Sequence, residues 1–236
     1  MVQRVAVPVA QGRCAEAHQV SPSDQDASDP VLAAASDGNA VLFWLAARDL
    51  DPGQYNDTVT DVWAVGLDAA GLSHAPPLRV TSTQGHRFGL SAAVAGDGAT
   101  VWLAYRVVPD SGTEARGDGG QVAVMRLART PQGVARPGDA AVVTATDATP
   151  TGSVRVFARE RGAEVWWRER TPGGVVTMHR SLDANGRAQG GAEAVMPEPW
   201  LHGALPAFAD GSSLTTVQRS PGGGVGLVRY RCAPNG

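Results

Sequence analysis

Residues 90 to 107 constrain this chain more than any other stretch: Leu90-Ser-Ala-Ala-Val94-Ala-Gly-Asp97-Gly98-Ala-Thr-Val101-Trp102-Leu-Ala-Tyr105-Arg-Val107. Two apolar, β-branched and aromatic runs flank an Asp-Gly pair. That pattern reads as strand, turn, strand, because glycine reaches positive φ without steric cost. The pattern recurs at Val31–Trp44, Val154–Trp167 and Leu205–Val217. Three copies keep Asp-Gly and one has Arg161-Gly162; three carry Trp in the second strand.

A second echo follows each hairpin. Val62-Trp-Ala-Val65-Gly-Leu67-Asp68-Ala-Ala-Gly71 matches Val176-Thr-Met178-His-Arg-Ser-Leu182-Asp183-Ala-Asn-Gly186, with looser copies from Val122 and Val225. Short fourth strands are expected near Leu78, Val142 and Val195, so each unit has four antiparallel strands, A to D. The turn glycines Gly38, Gly98, Gly162 and Gly211 are 60, 64 and 49 residues apart. Four-stranded units at such spacing predict an all-β fold, a β-propeller of four blades. The pattern resembles the exported, degenerate β-propeller repeat proteins of bacteria. The resemblance covers about residues 14 to 232 and implies a fold, with no catalytic residues.

The fourth unit stops after strand C, while residues 15 to 20 have the look of a strand D. The N-terminal strand is therefore expected to close the ring, which removes the open sheet edges. The propeller is placed at residues 14 to 236, and residues 1 to 13 form an extension or extra edge strand. Ring closure would also bring Cys14 beside Cys232, within disulfide reach.

Composition narrows function. A net charge of −3 gives no basic face for nucleic acid. No window of 18 apolar residues predicts a membrane span. The chain has no Lys, so all 20 basic residues are Arg and a side-chain Schiff base is excluded. There is no Gly-x-Ser-x-Gly, His-Glu-x-x-His, P-loop or Cys-x-x-Cys. The five histidines show no metal spacing. Ser36-Asp37-Gly38 lacks the spacing of a sialidase Asp box.

The B–C connections at 46–61 and 106–121 are the longest, and long loops in compact domains are mostly functional or disordered. The first carries Asp49, Asp51, Asn56, Asp57 and Asp61, oxygen donors of the kind calcium takes, and no other cofactor is expected. Asp49, Asp51 and Asp57 are the expected ion ligands. In a propeller the D–A and B–C connections share one side, and the A–B and C–D turns share the other. The mouth is therefore expected to be ringed by Asp29, His86, Arg87, Trp200 and His202, the expected ligand-binding residues. The Asp of each Leu-Asp-x-x-Gly turn is expected to hold turn geometry.

These residues predict an extracellular or periplasmic binding or structural module with a protein or glycan partner, as a monomer or within an assembly. Two alternatives remain: a glycan-acting hydrolase using mouth carboxylates, and a subunit of a larger cell-surface assembly. Paired carboxylates about 5–10 Å apart across the mouth would favour the hydrolase.

Overall fold

The computed structural model describes residues 3–4, 18–49, 58–82, 85–108, 119–135, 140–196, 208–209, 213–219 and 225–231. Every regular element among them is a β-strand. The strands are β1 (Gln3–Arg4), β2 (His18–Gln19), β3 (Ala27–Ala34), β4 (Ala40–Asp49), β5 (Thr58–Leu67), β6 (Leu78–Arg79), β7 (His86–Val94), β8 (Thr100–Val108) and β9 (Gln121–Thr130). They continue with β10 (Gly133–Val134), β11 (Ala141–Val142), β12 (Pro150–Arg159), β13 (Gly162–Thr171), β14 (Gly174–Leu182), β15 (Ala188–Met196), β16 (Phe208–Ala209), β17 (Ser213–Arg219) and β18 (Val225–Arg231). No helix of the described residues is long and apolar enough to cross a membrane.

The strands form antiparallel meanders. The first sheet runs β3-β4-β5-β6, and the third runs β12-β13-β14-β15. The second runs β7-β8-β9, with β10 and β11 sharing the outer edge of β9. The fourth has three strands, β16-β17-β18. The all-β, propeller-like architecture expected from the repeat is therefore present, with the first three A–B hairpins where Gly38, Gly98 and Gly162 placed them.

The turns are longer than two residues. Ala35 N–H donates to Asn39 O, and Gly38 N–H donates to Ala35 O. Asp37 Oδ1 accepts the Asn39 amide at 3.0 Å, and Asp97 Oδ1 accepts those of Ala99 and Thr100. The carboxylates thus hold the turns, and Gly38 and Gly98 supply the left-handed step (φ 83° and 66°). Asp68 and Asp183 do the same work in the C–D turns, accepting the Leu72, Asn185 and Arg187 amides.

The sheets stack face to face. Phe43, Leu45 and Val62 of the first sheet pack against Leu103, Tyr105 and Met125 of the second. The opposite face of the second sheet presents Trp102, Ala104 and Val124 to Val154, Val165 and Trp167 of the third. Alternate residues of β8 thus enter two different cores, which is why all of Thr100–Arg106 is buried. Trp44 is fully buried on the outer face of the first sheet, with Trp63 against it.

Two expectations about the edges change. β2 pairs with β1, Gln3 opposite Gln19 and Arg4 opposite His18, rather than with the fourth sheet. A two-residue strand has few amides to offer, and the chain between β1 and β2 is long enough to fold back on itself. The sheets do not close into a ring through β2 among the described residues. Cys14 and Cys232 lie outside the described residues. The strands also run deeper into the B–C connections than expected: β4 and β5 pair as far as Asp49 opposite Thr58.

Gly66 of β5 meets the β9–β10 turn so closely that a Cβ there would lie 2.6 Å from Gly133 N. Gly191 has nothing within 4 Å of its own Cβ position. Gly66→Ala is expected to cost about 1–3 kcal/mol, the range for overpacking, while Gly191→Ala is neutral. Parallel denaturant melts of the two variants check this.

Candidate functional site

The first strand of each of the first three sheets carries a bulge near its start. Ser28 pairs with Leu45 and Val31 with Phe43, so three steps along β3 oppose two along β4. The same shift lies between Phe88 and Ser91 in β7, and a larger one between Thr151 and Arg155 in β12. Bulges need a residue with unusual dihedrals, and here the second and third sheets use glycine: Gly89 (φ 63°) and Gly152 (φ 65°). The first sheet has Asp29 at φ 49°, the one non-glycine residue with positive φ among the described residues.

Asp29 is exposed, flanked by exposed Ser28 and Pro30. The following proline fixes its own φ and denies the position an amide donor. A left-handed aspartate costs backbone energy that glycine avoids, and such outliers cluster at functional sites. The strand that carries it is fixed by packing at Ala27 and Ala33. Gly89 and Gly152 meet across the next boundary, where a Cβ on Gly89 would lie 3.3 Å from Gly152 O. Close approach therefore explains Gly89, whereas Asp29 faces open solvent.

His86 and Phe88 lie on β7, the strand that packs against β3. Their rings stack at 6.3 Å with a 24° interplanar angle, and the Arg106 guanidinium sits 5.2 Å from the centre of Phe88. Arg106 Nη1 also donates to Pro150 O at 3.0 Å, joining the second sheet to the third.

Arg87 is placed differently from the rim position expected of it. It is 1% exposed and lies between β5 and β7. Its Nη1 donates to Thr60 O and Gly85 O, and the Thr60 hydroxyl both accepts its amide and donates to its carbonyl. Burial holds its guanidinium below the usual range, opposed by the charges of Tyr105 and Asp61. Asp61, also 1% exposed, receives Arg48 Nε at 2.9 Å, Arg79 Nε at 3.0 Å and Arg87 Nη1 at 3.6 Å. Thr81 donates to Asp61 Oδ1 at 3.5 Å. Asp61 is thus engaged by guanidiniums. Side chains of Asp49, Asp51 and Asp57, and all of Trp200 and His202, lie outside what the structure describes.

A second polar group stands on the third sheet. Glu164, 8% exposed, takes His179 Nδ1 at 3.1 Å and the Ser181 hydroxyl at 2.6 Å, with Arg159 at 3.4 Å. His179 Nε2 lies 3.6 Å from Glu193, and the Trp166 ring lies 5.4 Å from the imidazole. Burial pushes Glu164 up, but the His179 and Ser181 hydrogen bonds and Arg159 hold it below its ordinary 4.5. The Glu164 hydrogen bond lifts His179 above its ordinary 6.5, against burial. This constellation spans β13, β14 and β15 and ties them together.

A cavity of about 630 Å³ sits at the opposite end of the sheets, lined by Asp37, Asp68, His74, Asp97 and Arg129. Its acidic groups are already occupied. Arg129 forks onto Asp37, His74 Nε2 lies 2.8 Å from Asp68, and Asp97 is held in its turn. Among the described residues no cluster of His, Cys, Asp or Glu has the geometry to hold a metal.

Removing Asp61 leaves three guanidiniums without their carboxylate, so Asp61→Ala is expected to cost about 3 kcal/mol in urea unfolding. The Glu164–His179 pair has its own signature. The His179 contribution is complete below 6.5 and fades as pH rises through its raised folded value. The Glu164 contribution is complete above 4.5 and fades as pH falls through its lowered one. Stability from the pair is therefore greatest between those values, and His179→Gln should flatten the fall on the alkaline side in melts at stepped pH.

No protein-family profile matches the chain, and no curated protein sequence does. Solved structures do. An alpha-L-arabinanase from Penicillium chrysogenum, complexed with arabinobiose, matches with TM-score 0.52 at 12% identity, over 93% of this chain and 61% of that one. An endo-arabinase from Bacteroides thetaiotaomicron matches with TM-score 0.49 at 12% identity, over 94% and 82%. A family 117 glycoside hydrolase from Zobellia galactanivorans gives TM-score 0.47 at 14% identity, over 89% and 70%. The chain spans about three fifths of the arabinanase. Likeness at this identity establishes a fold, and function resides in the site carried on it. The expectation of a non-enzymatic binding or structural module is nevertheless corrected: the structure matched with TM-score 0.52 is an arabinanase, so the hydrolase alternative is the one carried forward.

Proposed function

We propose that the chain is a glycan-acting hydrolase working at the mouth of a propeller, with Asp29 as one of its catalytic carboxylates. The observation that carries this is the left-handed Asp29 at a bulge where the neighbouring sheets use glycine. An exposed carboxylate held there by packed strand on one side and proline on the other is fixed in direction. Glycoside hydrolysis pairs such a group with a second carboxyl, one activating water or attacking the sugar and the other protonating the leaving oxygen. The second carboxyl belongs to the same end of the sheets, where the expected loop residues Asp49, Asp51 and Asp57 enter. Calcium bound by those loop carboxylates is the alternative use for them. His86 on Phe88 supplies the ring surface that a sugar face packs against.

The reading includes four blades in one domain over residues 14 to 236, with the N-terminal segment at the seam. Val20 packing on the outer apolar face of the first sheet, beside Trp44 and Leu67, supports that placement. Trp200 and His202 then belong to the same rim. The work is placed outside the cytoplasm, in the periplasm or beyond, where polysaccharide substrates are met.

Reducing-end release from arabinan and a panel of other polysaccharides tests the proposal. Asp29→Asn is expected to lower turnover by about 10²–10⁴-fold. Asp29→Gly should abolish turnover while gaining about 1 kcal/mol of stability by relieving the backbone. Full activity in the Asp29→Asn variant would remove Asp29 from the chemistry.

A further inference from the structure

Three guanidiniums surround one carboxylate where the first and second sheets meet at the mouth end. Arg48 and Arg79 place Nε on the same Oδ2 of Asp61, and Arg87 faces Oδ1. The group therefore holds two more positive charges than negative ones, in a chain whose net charge is −3. Excess charge beside a buried ion is unfavourable unless water or a counter-anion meets it. A purely structural ion pair needs one arginine for Asp61, and the fully buried Arg87 already faces it.

Arg48 and Arg79 differ from Arg87 in exposure. Their side chains each keep 34% of their surface open, whereas Arg87 keeps 1%. Both are anchored through Nε, with Arg79 Nε also donating to Thr81 O at 2.9 Å. Among the described residues their terminal Nη groups have no partner. The result is two forks whose stems are fixed by a buried carboxylate and whose ends face solvent. Such forks match the oxygens of carboxylate and sulfate groups bidentately. Anchoring beforehand also removes much of the entropy cost that flexible arginines bring to binding.

We propose that Arg48 and Arg79 form an anion subsite of the glycan site, so that the substrate is an acidic polysaccharide carrying uronate carboxylates or sulfate esters. This rests on the glycan reading above. It adds a substrate class that a neutral-sugar site, built from hydroxyl and ring contacts alone, would not need.

Calorimetric titration of the whole chain tests it with four probes: an oligogalacturonate, a sulfated galactan fragment of equal length, a neutral arabino-oligosaccharide, and sodium sulfate. In about 20 mM salt one acidic oligosaccharide should bind at least about tenfold tighter than the neutral one, and the advantage should shrink in about 200 mM salt as screening sets in. Which acidic probe gains identifies the carboxylate or the sulfate ester. In the double variant Arg48→Gln, Arg79→Gln the acidic-to-neutral ratio should fall to about one. The wild-type salt dependence decides the matter even if that variant does not fold. Equal binding of acidic and neutral probes at both salts would overturn the subsite and leave the glycan reading standing. Sodium sulfate binding as tightly as the acidic oligosaccharides would mean an adventitious ion only, and would also overturn it. Failure of every oligosaccharide to bind folded protein would overturn the glycan reading itself.

Discussion

Packing on both faces of the first two sheets is the constraint on which the rest of the structure depends. A single meander of three or four strands cannot bury enough surface alone, so the first and second sheets each serve as a wall between two cores. β8 makes this concrete: Val101, Leu103 and Tyr105 enter one core, and Trp102 and Ala104 enter the next. β4 does the same with Phe43 and Leu45 on one side and Leu42 and Trp44 on the other. Strands used in this way have no polar face to spare. Chemistry is pushed to the strand ends, where connections leave the stack and side chains can meet solvent.

The two ends are then used differently. At the turn end, aspartates are consumed by backbone amides and by Arg129, which makes tight hairpins and leaves a polar but occupied cavity. At the mouth end, bulges open the first strand of three sheets, and one bulge carries a strained aspartate in place of glycine. The third sheet departs from the apolar rule on one face, where Glu164 and His179 replace the aliphatic residues that line the other boundaries. The hydrogen bonds from His179 and Ser181 satisfy the buried Glu164 carboxylate on that face.

Most of the architecture was legible because its signals are local. An Asp-Gly between alternating runs fixes a hairpin within about a dozen residues, and four hairpins fix the sheets. Closure was not legible, since a strand of two residues near His18 carries no information about its partner, and Gln3–Arg4 took it. The Asp61 group escaped for another reason. Its arginines come from β4, β6 and β7, and only the pairing register brings them to one carboxylate. Arg87 was expected at the rim by counting along its strand, but strand parity turns it into the boundary between sheets. Asp29 was named from its place at a strand entry; its left-handed backbone could be read only from coordinates.

The most direct measurement of the proposed function is a crystal structure of the Asp29→Asn variant soaked with arabino- and acidic oligosaccharides. The account predicts sugar density across the mouth, with a glycosidic oxygen or its attacking water within hydrogen-bonding distance of the residue 29 side chain. Sugar seated instead in the cavity between Asp37, Asp68 and Asp97, with the mouth empty, would contradict it.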